Sequence, residues 1–222
     1  MSEILENKIL NLKEKLVNLA LLVRDQIDKS FIALKERDKN LCKEVIEKDD
    51  LIDETSMELE KEVLQVIATQ DPKAESLRII SAILFDNIDL ERMADHCVDI
   101  AEITMTIADE PHLKPLIDLP RMKDICIKML DASIKSFLEK DTELSKITIE
   151  DDDIIDDLNS QIFRELLTYM LEDPRNIKRA NALLQISQHY ERIGDHITNL
   201  CERTIYAFEG KLIKTNPHKP RY

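Results

Sequence analysis

Glu91-Arg92-Met93-Ala94-Asp95-His96-Cys97-Val98-Asp99-Ile100-Ala101-Glu102 is followed one hundred residues later by Glu191-Arg192-Ile193-Gly194-Asp195-His196-Ile197-Thr198-Asn199-Leu200-Cys201-Glu202. Read as helix, each copy stacks Glu, Asp and Asp or Asn on one side at i, i+4 and i+8, with another Glu three residues on. Stepping about 100° per residue, Ile80, Ile83, Leu84, Val98 and Ala101 fall in one arc of roughly 120°, and Glu91, Asp95 and Glu102 fall in the same arc. In the second copy Glu191, Asp195 and Glu202 share their arc with Ala180, Leu183, Leu184, Thr198 and Ile205. The acids therefore stand where core residues are expected.

Carboxylates turned toward apolar neighbours are costly unless a cation meets them. Two sources fit. Arg92, Arg192 or lysines from neighbouring helices can supply it as salt bridges, since structural ion-pair networks perturb acids in the same way. A metal ion held by the ladder is the other.

Working outward, the chain reads as helix throughout. Two glycines, four tyrosines, no tryptophan and 34% charged residues in a chain of 222 suit long helices and not a sheet protein. Leu5, Ile9, Leu12, Leu16, Leu19, Val23, Ile27 and Leu34 recur at threes and fours, which predicts one helix from Ile4 to about Leu34. Asp38 can cap a second, running to about Gln70. Asp71-Pro72 reads as a cap followed by Pro at the first helical position, starting a third helix that carries the first ladder to about Asp109.

Pro111, Pro115 and Pro120 then fall within ten residues and predict a linker. Beyond it the pattern restarts: a helix from about Arg121 to Glu139, Asp141, a helix to about Glu172, the start signal Asp173-Pro174, and a last helix through the second ladder to a C-cap at Gly210. An offset of 103 pairs Asp28 with Asp131, Asp38 with Asp141, Asp50 with Asp153, Asp53 with Asp156, Glu62 with Glu165 and Leu64 with Leu167; at the ladders the offset is 100. The expected fold is all-α: six long helices forming two tandem, similar three-helix bundles over residues 1–110 and 121–210. Residues 111–120 are the linker and 211–222 a basic tail with Lys211, Lys214, Lys219 and Arg221. Asp49/Asp53 on the second helix and Asp152/Asp156 on the fifth, each pair four apart, can face the ladders across a groove as second ligands.

A net charge of −14 argues against nucleic acid, which demands a basic footprint, and suits cations or basic partner surfaces. Cys42, Cys97, Cys126 and Cys201 form no C-x-x-C pair and read as reduced, buried thiols. With no apolar leader and no run of ~20 apolar residues, the expected location is the cytoplasm.

The twin Glu-Arg-x-(Gly/Ala)-Asp-His block, each copy preceded by Asp-x-x-Asp (Asp50/Asp53, Asp153/Asp156) and a turn at Asp-Pro, resembles the PhoU family of bacterial phosphate-uptake regulators. The resemblance implies two three-helix bundles whose Glu-or-Asp-x-x-x-Asp motifs hold metal ions, often as clusters of iron or zinc. It also implies a negative regulator that couples a phosphate ABC transporter, through its ATPase subunit, to a sensor histidine kinase at the inner face of the membrane. The family motif falls on Glu91, Asp95 and Asp99, and on Glu191, Asp195 and Asn199, where Asn199 makes the second site one charge poorer.

From the residues alone, an all-oxygen ligand set suits magnesium, calcium, manganese or iron. His96 and His196 project about 100° from the ladder arc, so surface or inter-helix hydrogen bonding is their expected role. A homodimer is a further expectation. The competing readings are a carboxylate-bridged di-metal bundle enzyme, which would need Glu-x-x-His pairs absent from this chain, and a metal-free helical adaptor. No glycine-rich phosphate loop, metalloprotease helix or nucleophile with a nearby base occurs, so a non-enzyme is expected.

Overall fold

The computed structural model describes residues 3–213. Among them there are only helices and their connections: α1 (Glu3–Glu36), α2 (Lys39–Gln70), α3 (Glu75–Ile107), α4 (Asp118–Glu139), α5 (Thr142–Glu150), α6 (Asp152–Glu172) and α7 (Ile177–Glu209), with a 3₁₀ turn at Pro174–Asn176. Helices α1, α2 and α3 pack on one another as the first bundle, and α4, α5/α6 and α7 as the second. The fold is all-α in two tandem three-helix bundles, as the repeat predicts.

Both halves make their first turn by one device. Arg37 (φ 55°) and Lys140 (φ 59°) end the first helix of each half in the left-handed region, and the next residue, Asp38 or Asp141, caps the following helix. Asp38 accepts from the backbone N–H groups of Asn40 and Leu41, and Asp141 from that of Leu144, satisfying donors that a helix start leaves open. Gly210 closes α7 with φ 71°, its N–H donating to the Tyr206 carbonyl, as a left-handed C-cap should.

Three local expectations are corrected. Asp71 does not cap the start of a helix: it is the left-handed C-cap of α2 (φ 44°), Pro72 lies in the connection, and α3 begins only at Glu75. The equivalent Asp173-Pro174 does start structure, with Asp173 accepting from the Arg175 N–H and Pro174 opening the 3₁₀ turn. Pro120 is not a breaker, because it sits in the first turn of α4, where the missing N–H is needed by nothing; helix begins inside the expected linker. The single fifth helix arrives as α5 and α6, interrupted at Asp151. That residue keeps helical backbone (φ −64°, ψ −22°) while its N–H turns to the Thr148 carbonyl, a tightened turn and not a reversal. Of the basic tail, residues 214–222, with Lys214, Lys219 and Arg221, lie outside the described residues.

The halves are equivalent at the level of contacts. In the first, Asn87 on α3 donates to Ser56 Oγ on α2 (2.9 Å); in the second, Ser187 on α7 donates to Asn159 Oδ1 on α6 (2.7 Å). The same junction is built twice with the two residues exchanged. Between halves, the repeated acids Asp28 and Asp131 each pair across α1 and α4, with Lys123 and Arg24 (both 3.0 Å).

The two bundles share one core. Leu12, Leu16 and Ile27 of α1, Ile80, Met93 and Ile100 of α3, Met122 and Met129 of α4, and Ile186, Ile193 and Ile197 of α7 belong to a single continuous cluster. Its seam is the contact of α3 with α7. Asp86 meets Arg203, Asp89 meets His196 and His96 meets His189, so numbers rise on one helix as they fall on the other and the pair is antiparallel. All four cysteines are buried and free, and burial pushes their thiols up, Cys42 to about 11; none is poised as a thiolate nucleophile.

Candidate functional site

The ladders divide. On the first bundle Glu91 and Asp95 of α3 come together with Asp49 and Asp53 of α2. Burial, followed by the charges of Asp53, Asp95 and Glu91, raises the Asp49 carboxyl to about 6, and burial together with Asp95 also raises Glu91. Asp49 Oδ1 is buried without a hydrogen-bond partner. Arg92 reaches this cluster from its edge, 3.0 Å from Asp95 Oδ2 and 3.6 Å from Glu91 Oε2, so the salt-bridge reading has a real contact behind it. The guanidinium is 59% exposed and does not bring Asp49 back to an ordinary carboxylate range.

The second ladder is built more closely. Asp152, the counterpart of Asp49, is 2% exposed and lies over Gly194: a Cβ there would come 2.6 Å from Asp152 Oδ1 and 3.0 Å from Ile155 Cδ1. Gly194 is thus the condition for this carboxylate to sit against α7. In the first half Ala94, itself fully buried, carries that Cβ, and Asp49 stays half-buried. Glu191 and Asp156 are half-buried and Asp195 is exposed.

The third rung goes elsewhere. At i+8 a helix has turned about 80° from the first rung, and Asp99 faces α7 instead of α2: its Oδ2 is 3.5 Å from His189 Nδ1 and 3.7 Å from His96 Nδ1. Asn199 does the same from α7, donating to Asp89 Oδ1 (3.3 Å). Asp99 and Asn199 therefore belong to the seam between bundles, a correction to the ladder as spaced along the chain.

That seam holds the polar cluster the sequence did not reveal. Asp89 Oδ1 accepts from His196 Nδ1 at 2.5 Å, and Arg203 bridges Asp89 and Asp86, 3.2 Å from the latter. Burial alone would raise Asp89, but His196 and Arg203 together outweigh it and hold the carboxyl below its usual range. Asp86, the more buried of the two, is raised to about 8 by that burial, against the pull of Arg203. Beside them, His96 Nδ1 lies 3.2 Å from His189 Nδ1, and the His96 and His196 rings stand 5.6 Å apart. Burial, then the neighbouring His189, His196, Arg192 and Arg92, lower His96 to about 3. Burial lowers His189 as well, with Asp99 opposing it. Inter-helix hydrogen bonding is what the structure gives His96 and His196. His189 and Asp89 were invisible as partners because they lie on different helices; the signal available was that the repeat places them at equivalent positions.

Both halves of the chain match the PhoU domain family, over residues 16–104 and 119–204. A "phosphate-specific transport system accessory protein PhoU homolog" of Aquifex aeolicus is 44% identical over 202 residues, 91% of each chain. A homolog of the same description from Clostridium acetobutylicum is 34% identical, covering 96% of this chain and 98% of that one. The crystal structure of PhoU from Pseudomonas aeruginosa superposes with a TM-score of 0.89 at 28% identity, covering 93% of this chain and 99% of that one. That of the phosphate transport system regulatory protein PhoU from Streptococcus pneumoniae gives 0.89 at 25%, covering 95% and 100%. With the family matched in each bundle and relatives aligned over nearly their whole length, the chain belongs to the PhoU family.

Proposed function

We propose that this protein is an accessory regulator of phosphate transport. The observation that carries the reading is coverage: relatives named as phosphate-specific transport system accessory proteins align with 91% and 96% of this chain. In finer terms, it is a cytoplasmic, non-enzymatic negative regulator of phosphate-starvation signalling that contacts a phosphate transporter ATPase subunit and a sensor histidine kinase. A soluble, peripheral mode fits the absence, among the described residues, of any helix long and apolar enough to cross a membrane. A strain lacking the protein should express its phosphate-starvation genes in high phosphate. Normal repression in that strain would refute the regulatory reading.

Each bundle binds metal in this reading, through Glu91, Asp95, Asp49 and Asp53 in the first and Glu191, Asp195, Asp152 and Asp156 in the second. The donor set fits a hard or borderline cation, iron or zinc among them: facing carboxylates four apart supply several oxygens from regular helix. Asp49 Oδ1, buried and unsatisfied, is the atom a cation would meet. Bound metal would neutralise the cluster and clamp α2 to α3 and α6 to α7. The second reading, a metal-free adaptor, draws on the Arg92 to Asp95 contact. Elemental analysis of tag-free protein decides between them: Glu91→Gln with Asp95→Asn should lower metal content while sparing the second bundle, whereas unchanged stoichiometry favours the adaptor.

A further inference from the structure

The seam carries two clusters that the repeat makes equivalent. Subtracting 100 turns His189 into Asp89, His196 into His96, Asn199 into Asp99 and Arg203 into Ile103. The cluster of Asp89, His196 and Asn199 is completed by a cation of its own, the Arg203 guanidinium. At the other, Ile103 replaces the arginine, and among the described residues no lysine or arginine lies within ion-pair distance of Asp99. What stands there is an imidazole from each helix and one carboxylate, with His96 Nδ1, His189 Nδ1 and an Asp99 oxygen all within 4.8 Å of one another.

We propose that His96, His189 and Asp99 bind a single divalent transition metal ion, zinc or a zinc-like ion, at the seam between the bundles, separate from the acidic ladders. A tetrahedral ion with bonds of about 2.0–2.1 Å sets its ligand atoms about 3.3 Å apart. The two Nδ1 atoms are already 3.2 Å apart and the carboxylate oxygen is 3.5 and 3.7 Å from them. Closure needs a movement of only a few tenths of an ångström by Asp99, whose side chain is 48% exposed and free to make it. The imidazoles, 13% and 19% exposed, are held by the packed helices, so the nitrogen pair is preformed and the solvent side supplies the entry path. Two imidazoles with one carboxylate leave a fourth position for water, and imidazole favours zinc or iron over magnesium and calcium. The ion takes the place that Arg203 fills in the twin cluster and bridges α3 to α7. The competing account is a plain N–H···N hydrogen bond between neutral imidazoles, which needs no metal.

The test uses chelator-stripped, tag-free full-length protein titrated with cobalt(II), followed by visible absorption, and with zinc by calorimetry. The parent should show one histidine-dependent equivalent that Glu91→Gln with Asp95→Asn retains. His189→Gln should weaken that equivalent by more than about 100-fold, beyond what removing a merely supporting residue costs, and leave the ladder equivalents in place. Asp99→Asn, at a half-exposed position, guards against misfolding of the histidine variant and should also weaken it. Equal stoichiometry and affinity in parent and Asp99→Asn, or in parent and a folded His189→Gln, would overturn the proposal. A parent that takes up the histidine-dependent equivalent and none at the ladders would count against the ladder reading and support this one.

Discussion

The clusters around Arg203 and around Asp99 occupy matching places on α3 and α7, yet they meet the same electrostatic problem in opposite ways. Around Arg203, two buried carboxylates, Asp86 and Asp89, are held by a guanidinium the chain provides. Around Asp99, the counterpart of Asp86 is the apolar Ile186, the counterpart of Asp89 is His189, and the single carboxylate is half-exposed. Where charge is buried the protein must carry its own counter-charge; where the acid keeps contact with water it can leave a place for an exogenous one.

The largest effect should follow from breaking the first of these. Arg203→Met leaves the buried Asp89 carboxylate with His196 as its remaining partner and should cost up to about 3–5 kcal/mol of stability, measured by urea denaturation. Giving the seam the residues of its other half, Asp86→Ile with Arg203→Ile, should recover part of that loss. A single-variant change within about 0.5 kcal/mol, typical of ordinary surface positions, would contradict the contrast.

A smaller effect is expected from metal removal. Chelation should lower the unfolding midpoint, since an ion present at 100 times its dissociation constant stabilises the folded state by about 2.7 kcal/mol. No shift on chelation of metal-loaded protein would argue that neither ladder nor seam binds metal in the folded state. Gly194→Ala gives the second bundle the residue the first one has. Its Cβ must displace the Asp152 carboxylate, so metal affinity in that bundle should fall, while a helix-propensity gain of up to about 1 kcal/mol offsets the repacking. Unaltered affinity would show that Asp152 is not a ligand.

The smallest effect concerns pH. Asp49 has a folded-state value of about 6, above its unfolded value, so its contribution to stability is fully present below the unfolded value and is lost as pH rises through about 6. Metal-free protein should therefore gain stability from this group as pH falls from about 7 toward 4. Asp49→Asn should flatten that part of the profile, and thermal melts across the range would show a slope unchanged by the substitution if the assignment is wrong.

The repeat, the three-helix plan of each half and the pairing of α2 with α3 were legible because they rest on local periodicity and caps: Asp38 and Asp141 each cap a helix after a left-handed residue. Asp71-Pro72 misled because the same dipeptide can end a helix as readily as begin one, and here Asp71 takes the left-handed turn while Asp173 does not. The third rung was misplaced because four-residue spacing drifts around a helix, taking Asp99 and Asn199 out of the groove they seemed to share with Glu91 and Glu191. Nothing in one segment marks Asp89, His189 or Arg203 as partners, since their meeting depends on α3 and α7 lying antiparallel.

That antiparallel seam bears on how such a chain can arise. Were the halves two copies of one short polypeptide related by a true dyad, every contact across the axis would occur twice with the same residues, and both places would hold an arginine or neither would. Joining the copies end to end releases each position to change alone. Arg203 in the place of Ile103, and Asp86 in the place of Ile186, are differences that two identical copies could not keep. A tandem repeat can thus hold more than a doubled acidic ladder: its one pseudo-symmetric interface carries two unlike environments.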